Sequence, residues 1–123
     1  MIRTPYRHFE PDALLADLMG NMAAMNGALQ RFPAWLQTME TDLLSAAEAD
    51  DAQRLARALH TLRGTLAQLH ADPIVALATP LEHACKAAAA DPATPAPGVA
   101  ELAPLISMLK ALAAEVTHYL AHY

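Results

Sequence analysis

Between Met22 and Leu43 an apolar residue recurs every three or four positions: Met22, Met25, Leu29, Phe32, Leu36, Met39 and Leu43. An α-helix turns once in about 3.6 residues, so this spacing lays one side of a helix on a core; a strand would need alternation in twos. Pro33 removes one backbone donor in the middle of the run, yet the stripe keeps its phase across it. The pattern therefore predicts one long, bent helix over about 22–49 rather than two unrelated ones. Alanine, the best helix former, fills nearly a quarter of the 123 positions, and long β-branched runs are missing. These features exclude a β-sandwich, a collagen-like chain and a disulfide scaffold.

Further stripes of the same period follow. Leu55, Leu59, Leu62, Leu66 and Leu69 predict a helix over about 51–69, with Asp50 as its N-cap. Ile74, Leu77, Leu81, Ala84/Cys85 and Ala88 predict a helix over about 73–90 that opens on Pro73, with Pro80 a point of kinking or early fraying. Leu102, Leu105/Ile106, Leu109, Leu112, Val116 and Tyr119/Leu120 predict a last helix over about 98–121. A shorter run from Pro11 gives a short helix over about 12–19, stopped by Gly20-Asn21, and the proline-rich segment 91–98 is a loop. The expected fold is all-α, a single domain spanning 1–123: an antiparallel four-helix bundle with a short N-terminal capping helix.

The formal net charge is −5, with eight Lys and Arg against thirteen Asp and Glu. Nucleic-acid binding relies on a basic stripe to displace counterions, so that class is disfavoured. Cys85 stands alone and cannot form an internal disulfide, which fits a reducing compartment. No run approaches the roughly 18 apolar residues of a membrane span. The opening Met1-Ile2-Arg3-Thr4-Pro5-Tyr6 lacks the apolar core of a signal peptide. A cytoplasmic domain without membrane contact, acting as a monomer, is the expectation.

One histidine stands apart from the core pattern. At about 100° per residue, the five leucines of the 51–69 helix lie roughly 100–180° away from His60. His60 therefore points outward, sharing its face with Gln53, Ala56, Arg57, Arg63, Gly64 and Ala67. Gly64 follows one turn later. A mid-helix glycine costs about 0.5–1 kcal/mol relative to alanine, so its use in an alanine-rich chain suggests a close approach to the backbone. Another helix of the bundle or an external partner would explain it, and the outward geometry favours the partner.

The segment Ala58-Leu59-His60-Thr61-Leu62-Arg63-Gly64-Thr65-Leu66-Ala67 resembles the signature of histidine-containing phosphotransfer (HPt) domains: a histidine, an apolar residue two on, then Lys or Arg, Gly and a small residue. Phe9-Glu10-Pro11, Phe32 and Leu36, Asp50-Asp51, and Leu77, Leu81-Glu82 and Lys86 extend the resemblance over nearly the whole chain. One departure is His70, which stands where the family usually has a second glycine and puts the end of that helix in question. The resemblance implies a phosphorelay carrier: His60 accepts a phosphoryl group from a receiver-domain aspartate and passes it to another receiver. Such a domain is no independent enzyme; it is either a stand-alone protein or the C-terminal domain of a hybrid sensor kinase, and such relays are mostly bacterial. It needs no cofactor or metal of its own, the Mg²⁺ being the receiver's.

The neighbours fit that chemistry. A neutral imidazole nitrogen is a nucleophile near neutral pH, and phosphoryl transfer depends mainly on positioning and charge stabilisation. Arg63 can reach phosphoryl oxygens from the face of His60, and Gly64 leaves room for the partner. Ala56, Arg57 and Ala67 are the expected docking surface. Glu82 resembles a glutamate that hydrogen-bonds the histidine in chemotaxis-kinase phosphoacceptor domains; it could accept from Nδ1–H and leave Nε2 to attack, with Lys86 pairing with it or with phosphate. Ordinary surface charges at both positions remain the alternative. His70 reads as a helix C-terminal cation, His83 as solvated, Cys85 as buried, Trp35 as partly exposed, and Met19, Met22, Met25 and Met39 as core filler. His118 and His122 are spaced to share a metal. The competing functions are a non-phosphorylated docking module of the same shape (a pseudo-HPt) and a histidine-based metal-binding bundle.

Overall fold

The computed structural model describes residues 6–122, so the signal-peptide reading of Met1 to Pro5 lies outside the described residues. Five helices follow in order: α1 Pro11–Asp17, α2 Met22–Glu48, α3 Ala52–Gln68, α4 Asp72–Ala90 and α5 Val99–His122. No strand occurs among the described residues. No helix there is long and apolar enough to cross a membrane.

The long helices form a closed ring, α2 on α3, α3 on α4, α4 on α5 and α5 on α2, while α1 packs on α2. Neighbours run antiparallel. On α2 and α3, Asp42 meets Arg54 while Phe32 shares a groove with Thr65. On α2 and α5, Glu40 meets Lys110 while Leu44 lies beside Ile106. The leucine stripe of α3 behaves as its spacing requires: Leu55, Leu59, Leu62, Leu66 and Leu69 are all buried. Each contributes about 1.5–3 kcal/mol of burial. The stripes of α2 from Met25 to Leu43 and of α5 from Leu102 to Tyr119 are buried as well, and both helices run unbroken through Pro33 and Pro104.

The ends correct several expectations. Asp51, not Asp50, caps α3: its carboxylate accepts from the Arg54 N–H at 3.0 Å. Asp50 adopts φ +53 and ends α2, with Asp51 N–H returning to the Ala46 carbonyl. Asn21, read only as a stop, caps α2 by accepting from Ala24 N–H. Met19 and Met22 are not core filler. Met19 takes a left-handed φ of +57 at the end of α1 and is 95% exposed, and Met22 opens α2 at 40% exposed. α4 runs continuously through Pro80, and Asp91 holds the following loop through the Ala93 N–H and the Thr94 hydroxyl.

α3 ends where a glycine would end it. Ala71 N–H bonds the Leu66 carbonyl and His70 N–H the Ala67 carbonyl, a closure that puts residue 70 at φ +57. Glycine takes that backbone without strain; a side chain costs about 1 kcal/mol. His70 meets Asp17, its Nε2 2.6 Å from Oδ2, which ties the end of α3 to the end of α1. Asp17 raises the His70 pKa above 6.5, burial opposes the shift, and Asp72 and Glu10 add to it. Ahead of α1, Phe9 is buried against Tyr119, Arg7 and His8 N–H groups donate to Glu115, and the His8 ring pairs with the same carboxylate.

The stripe of α4 sits one position away from the expectation. Ile74, Ala78, Glu82, Cys85 and Ala88 face inward, while Leu77 and Leu81 pack at the flanks, partly buried. Small Ala78 and Cys85 on this line let α4 lie close along α3, the most extensive helix pairing in the bundle. That approach carries Glu82 into the interior beside His60.

Candidate functional site

His60 stands midway along α3 with 67% of its side chain exposed, while Glu82 on α4 has none. The imidazole Nδ1 and Glu82 Oε2 are 3.1 Å apart. Lys86, one turn further along α4, puts Nζ 2.7 Å from the same oxygen. Arg63 on α3 places Nε 3.1 Å from Oε1, an ion pair without the alignment of a hydrogen bond.

A buried carboxylate resists ionisation, and burial is the largest single influence on Glu82. It is outweighed by hydrogen bonds from Lys86 and His60 and by the charges of Arg63 and Lys86, so the pKa lies below its ordinary value of 4.5. An ionised carboxylate only accepts hydrogen bonds. The His60–Glu82 contact therefore requires Nδ1 to carry the hydrogen and donate it. Nε2 makes no hydrogen bond among the described residues, and two thirds of the side chain that carries it is exposed. The arrangement is a fixed, outward-facing nitrogen nucleophile with two cations beside it.

The sequence-predicted residues fall into place unequally. His60, Arg63, Glu82 and Lys86 come together. Glu82 and Lys86 are thus not independent surface charges. Gly64 is exposed, and a methyl group added there would meet nothing within 4 Å, so close packing of another helix does not explain it. Arg57 and Ala67 are exposed, but Ala56 is a correction: it is 8% exposed and belongs to the core. It lies on the same side of His60 as Arg63, the side on which α4 packs, so its methyl group is covered. Sequence reasoning missed Thr61, Trp35 and Arg31, which line a groove across α2 and α3 beside the histidine. Contacts between helices leave no periodic trace that would have joined them. The burial of Glu82 did have a signal, the line Ile74, Ala78, Glu82, Cys85, masked because one member is charged.

The remaining histidines do not form a second centre. His118 and His122 stack face to face at 4.1 Å, His118 Nδ1 is hydrogen-bonded to the Tyr6 hydroxyl, and His122 Nδ1 to the His118 carbonyl. Among the described residues no group of three or more His, Cys, Asp or Glu is placed to hold a metal ion. Cys85 is buried, and desolvation followed by the nearby Glu82 pushes its thiol pKa up to about 11.

The Hpt domain model matches residues 13–119, from the first helix almost to the end of the last. The all-helical bundle agrees with that match, and the chain belongs to the Hpt domain family. The family serves histidine phosphotransfer in phosphorelay signalling, with receiver domains as partners, and its members are generally carriers rather than independent enzymes. No match was found among curated proteins or among solved structures.

Proposed function

We propose that this domain carries a phosphoryl group on Nε2 of His60, taking it from the aspartyl phosphate of one receiver domain and giving it to the aspartate of another. The observation that carries this reading is the tethered imidazole, with Nδ1 held by a buried carboxylate and Nε2 open to solvent.

The step balances without a proton transfer. The Nε2 lone pair attacks phosphorus, an N–P bond forms, and the P–O bond to the receiver aspartate breaks, returning its carboxylate. Nδ1 keeps its hydrogen throughout. The imidazole gains positive charge as the bond forms, and the Glu82 carboxylate 3.1 Å away stabilises that charge. In the onward step an aspartate oxygen of the second receiver attacks phosphorus and neutral imidazole leaves. Arg63 and Lys86 are close enough to turn from Glu82 toward phosphoryl oxygens. Gly64 leaves the receiver's loops room beside the ring, and Mg²⁺ belongs to the receiver. On this reading the domain works as a monomer in the cytoplasm, in a bacterial relay, either alone or as part of a hybrid sensor kinase.

The test is label transfer from a ³²P-phosphorylated receiver. Wild type should take up an acid-labile, alkali-stable label, and His60→Gln should take up none while keeping its helical circular dichroism. Equal labelling of the two proteins would refute the assignment.

A further inference from the structure

The chain is acidic, yet α3 is not. Between Ala52 and Gln68 it carries Arg54, Arg57 and Arg63 and no carboxylate. Arg63 pairs with Glu82 on the side of α4 and serves the reacting ring. The other two belong to the opposite side of His60, toward α2.

Three shallow grooves meet at exposed Thr61, the neighbour of His60 in sequence. One contains Arg57, His60 and Lys86, a second Asp42, Arg54 and Arg57, and a third Arg31, Trp35 and Thr65. They make one continuous surface over α2 and α3 that ends at the exposed imidazole. Its third groove is partly apolar: Trp35, half-buried, stacks on Phe32 with ring centroids 5.9 Å apart. Its rim is cationic. Arg31 and Arg57 are exposed and have no ion-pair partner among the described residues. Arg54 shares Asp42 at 3.6 Å, with both side chains more than a third exposed. Pairs of that kind contribute little to stability, so the arginines are not explained by the fold.

We infer that Arg31, Arg54 and Arg57 form a docking rim that selects receiver domains bearing carboxylates around the face that presents the acceptor aspartate. The inference rests on the phosphocarrier reading and extends it from the reacting ring to the choice of partner. A partner whose rim is neutral or basic would bury Arg31 and Arg57 unpaired or against like charge, which is costly. An acidic rim supplies the missing counter-charges and speeds encounter with an otherwise acidic protein.

Phosphoramidate, a donor small enough to need no docking, separates this inference from its foundation. The wild-type protein is loaded on His60 with phosphoramidate, and transfer to an isolated receiver domain is followed against receiver concentration at low and high salt. The same series is run with Arg31→Glu/Arg57→Glu and with Arg31→Lys/Arg57→Lys. The charge-reversed variant should need about tenfold more receiver for half-saturation at low salt, with the loss in this concentration rather than in the saturated rate. The gap should shrink as salt screens the rim, and the lysine variant should stay near wild type. An unchanged half-saturating concentration in the charge-reversed variant, or a wild-type value indifferent to salt, overturns the docking rim while leaving the carrier intact. If phosphoramidate places no phosphoryl group on His60, the carrier reading itself fails and the rim falls with it.

Discussion

Glu82 is the one charged residue buried among the described residues, and its neighbours explain why that position is tolerable. Removing a carboxylate from water is expensive, and here one imidazole and two cations offset the cost. The pairing makes a pH prediction with a definite sign. Because the folded pKa lies below 4.5, the carboxylate stabilises the fold above that value and loses its contribution as the pH falls through the depressed folded pKa. Urea midpoints should therefore fall more steeply in acid for the wild type than for Glu82→Gln; parallel curves would show that the pairing carries no stability. The outward direction of His60 was legible in the sequence because leucine spacing fixes which way a helical side chain points. The burial of Glu82 was masked, since a charged member hides the inward line Ile74, Ala78, Glu82 and Cys85 until another helix is laid on it.

At the scale of elements, α3 was the most legible part of the molecule because its core line is built of leucines alone. α4 was displaced by one position because alanine counts for little in a hydrophobic pattern, yet alanine is what permits a close helix contact. That contact also buried Ala56, which the projection of a single helix had left on the outer face. Gly64 makes a prediction on both sides of the balance. Its Cβ position is empty, so Gly64→Ala should raise stability by about 0.5–1 kcal/mol. A bulky Gly64→Gln, stable for the same reason, should slow transfer from a phosphorylated receiver, and an unimpaired rate would remove the glycine from the docking account. His70 shows how an element end can be both strained and tied. Its raised pKa means that the bond to Asp17 adds stability below about pH 6.5 and loses it as the pH rises through the folded value. His70→Gly should relieve about 1 kcal/mol of backbone strain and flatten that dependence, as read from thermal midpoints on either side of neutrality. An equally steep curve would mean that another group sets it.

For the whole molecule, the family and the ring of helices followed from periodicity and one short motif, because both are written along single helices. The surface beside His60 did not follow, because α2 and α3 assemble it from residues some thirty positions apart. The same holds for the N-terminal segment, where Phe9 and His8 are anchored by Tyr119 and Glu115 at the far end of the chain. The bundle thus does two things for one ring: α4 fixes the nitrogen that faces inward, and the outer faces leave the other nitrogen clear. The most direct measurement is nuclear magnetic resonance of the phosphoramidate-treated, ¹⁵N-histidine-labelled protein, which reports the nitrogen coupled to phosphorus. The account predicts phosphorus on Nε2 of His60 with the hydrogen retained on Nδ1; phosphorus on Nδ1, or on any other residue, would contradict it.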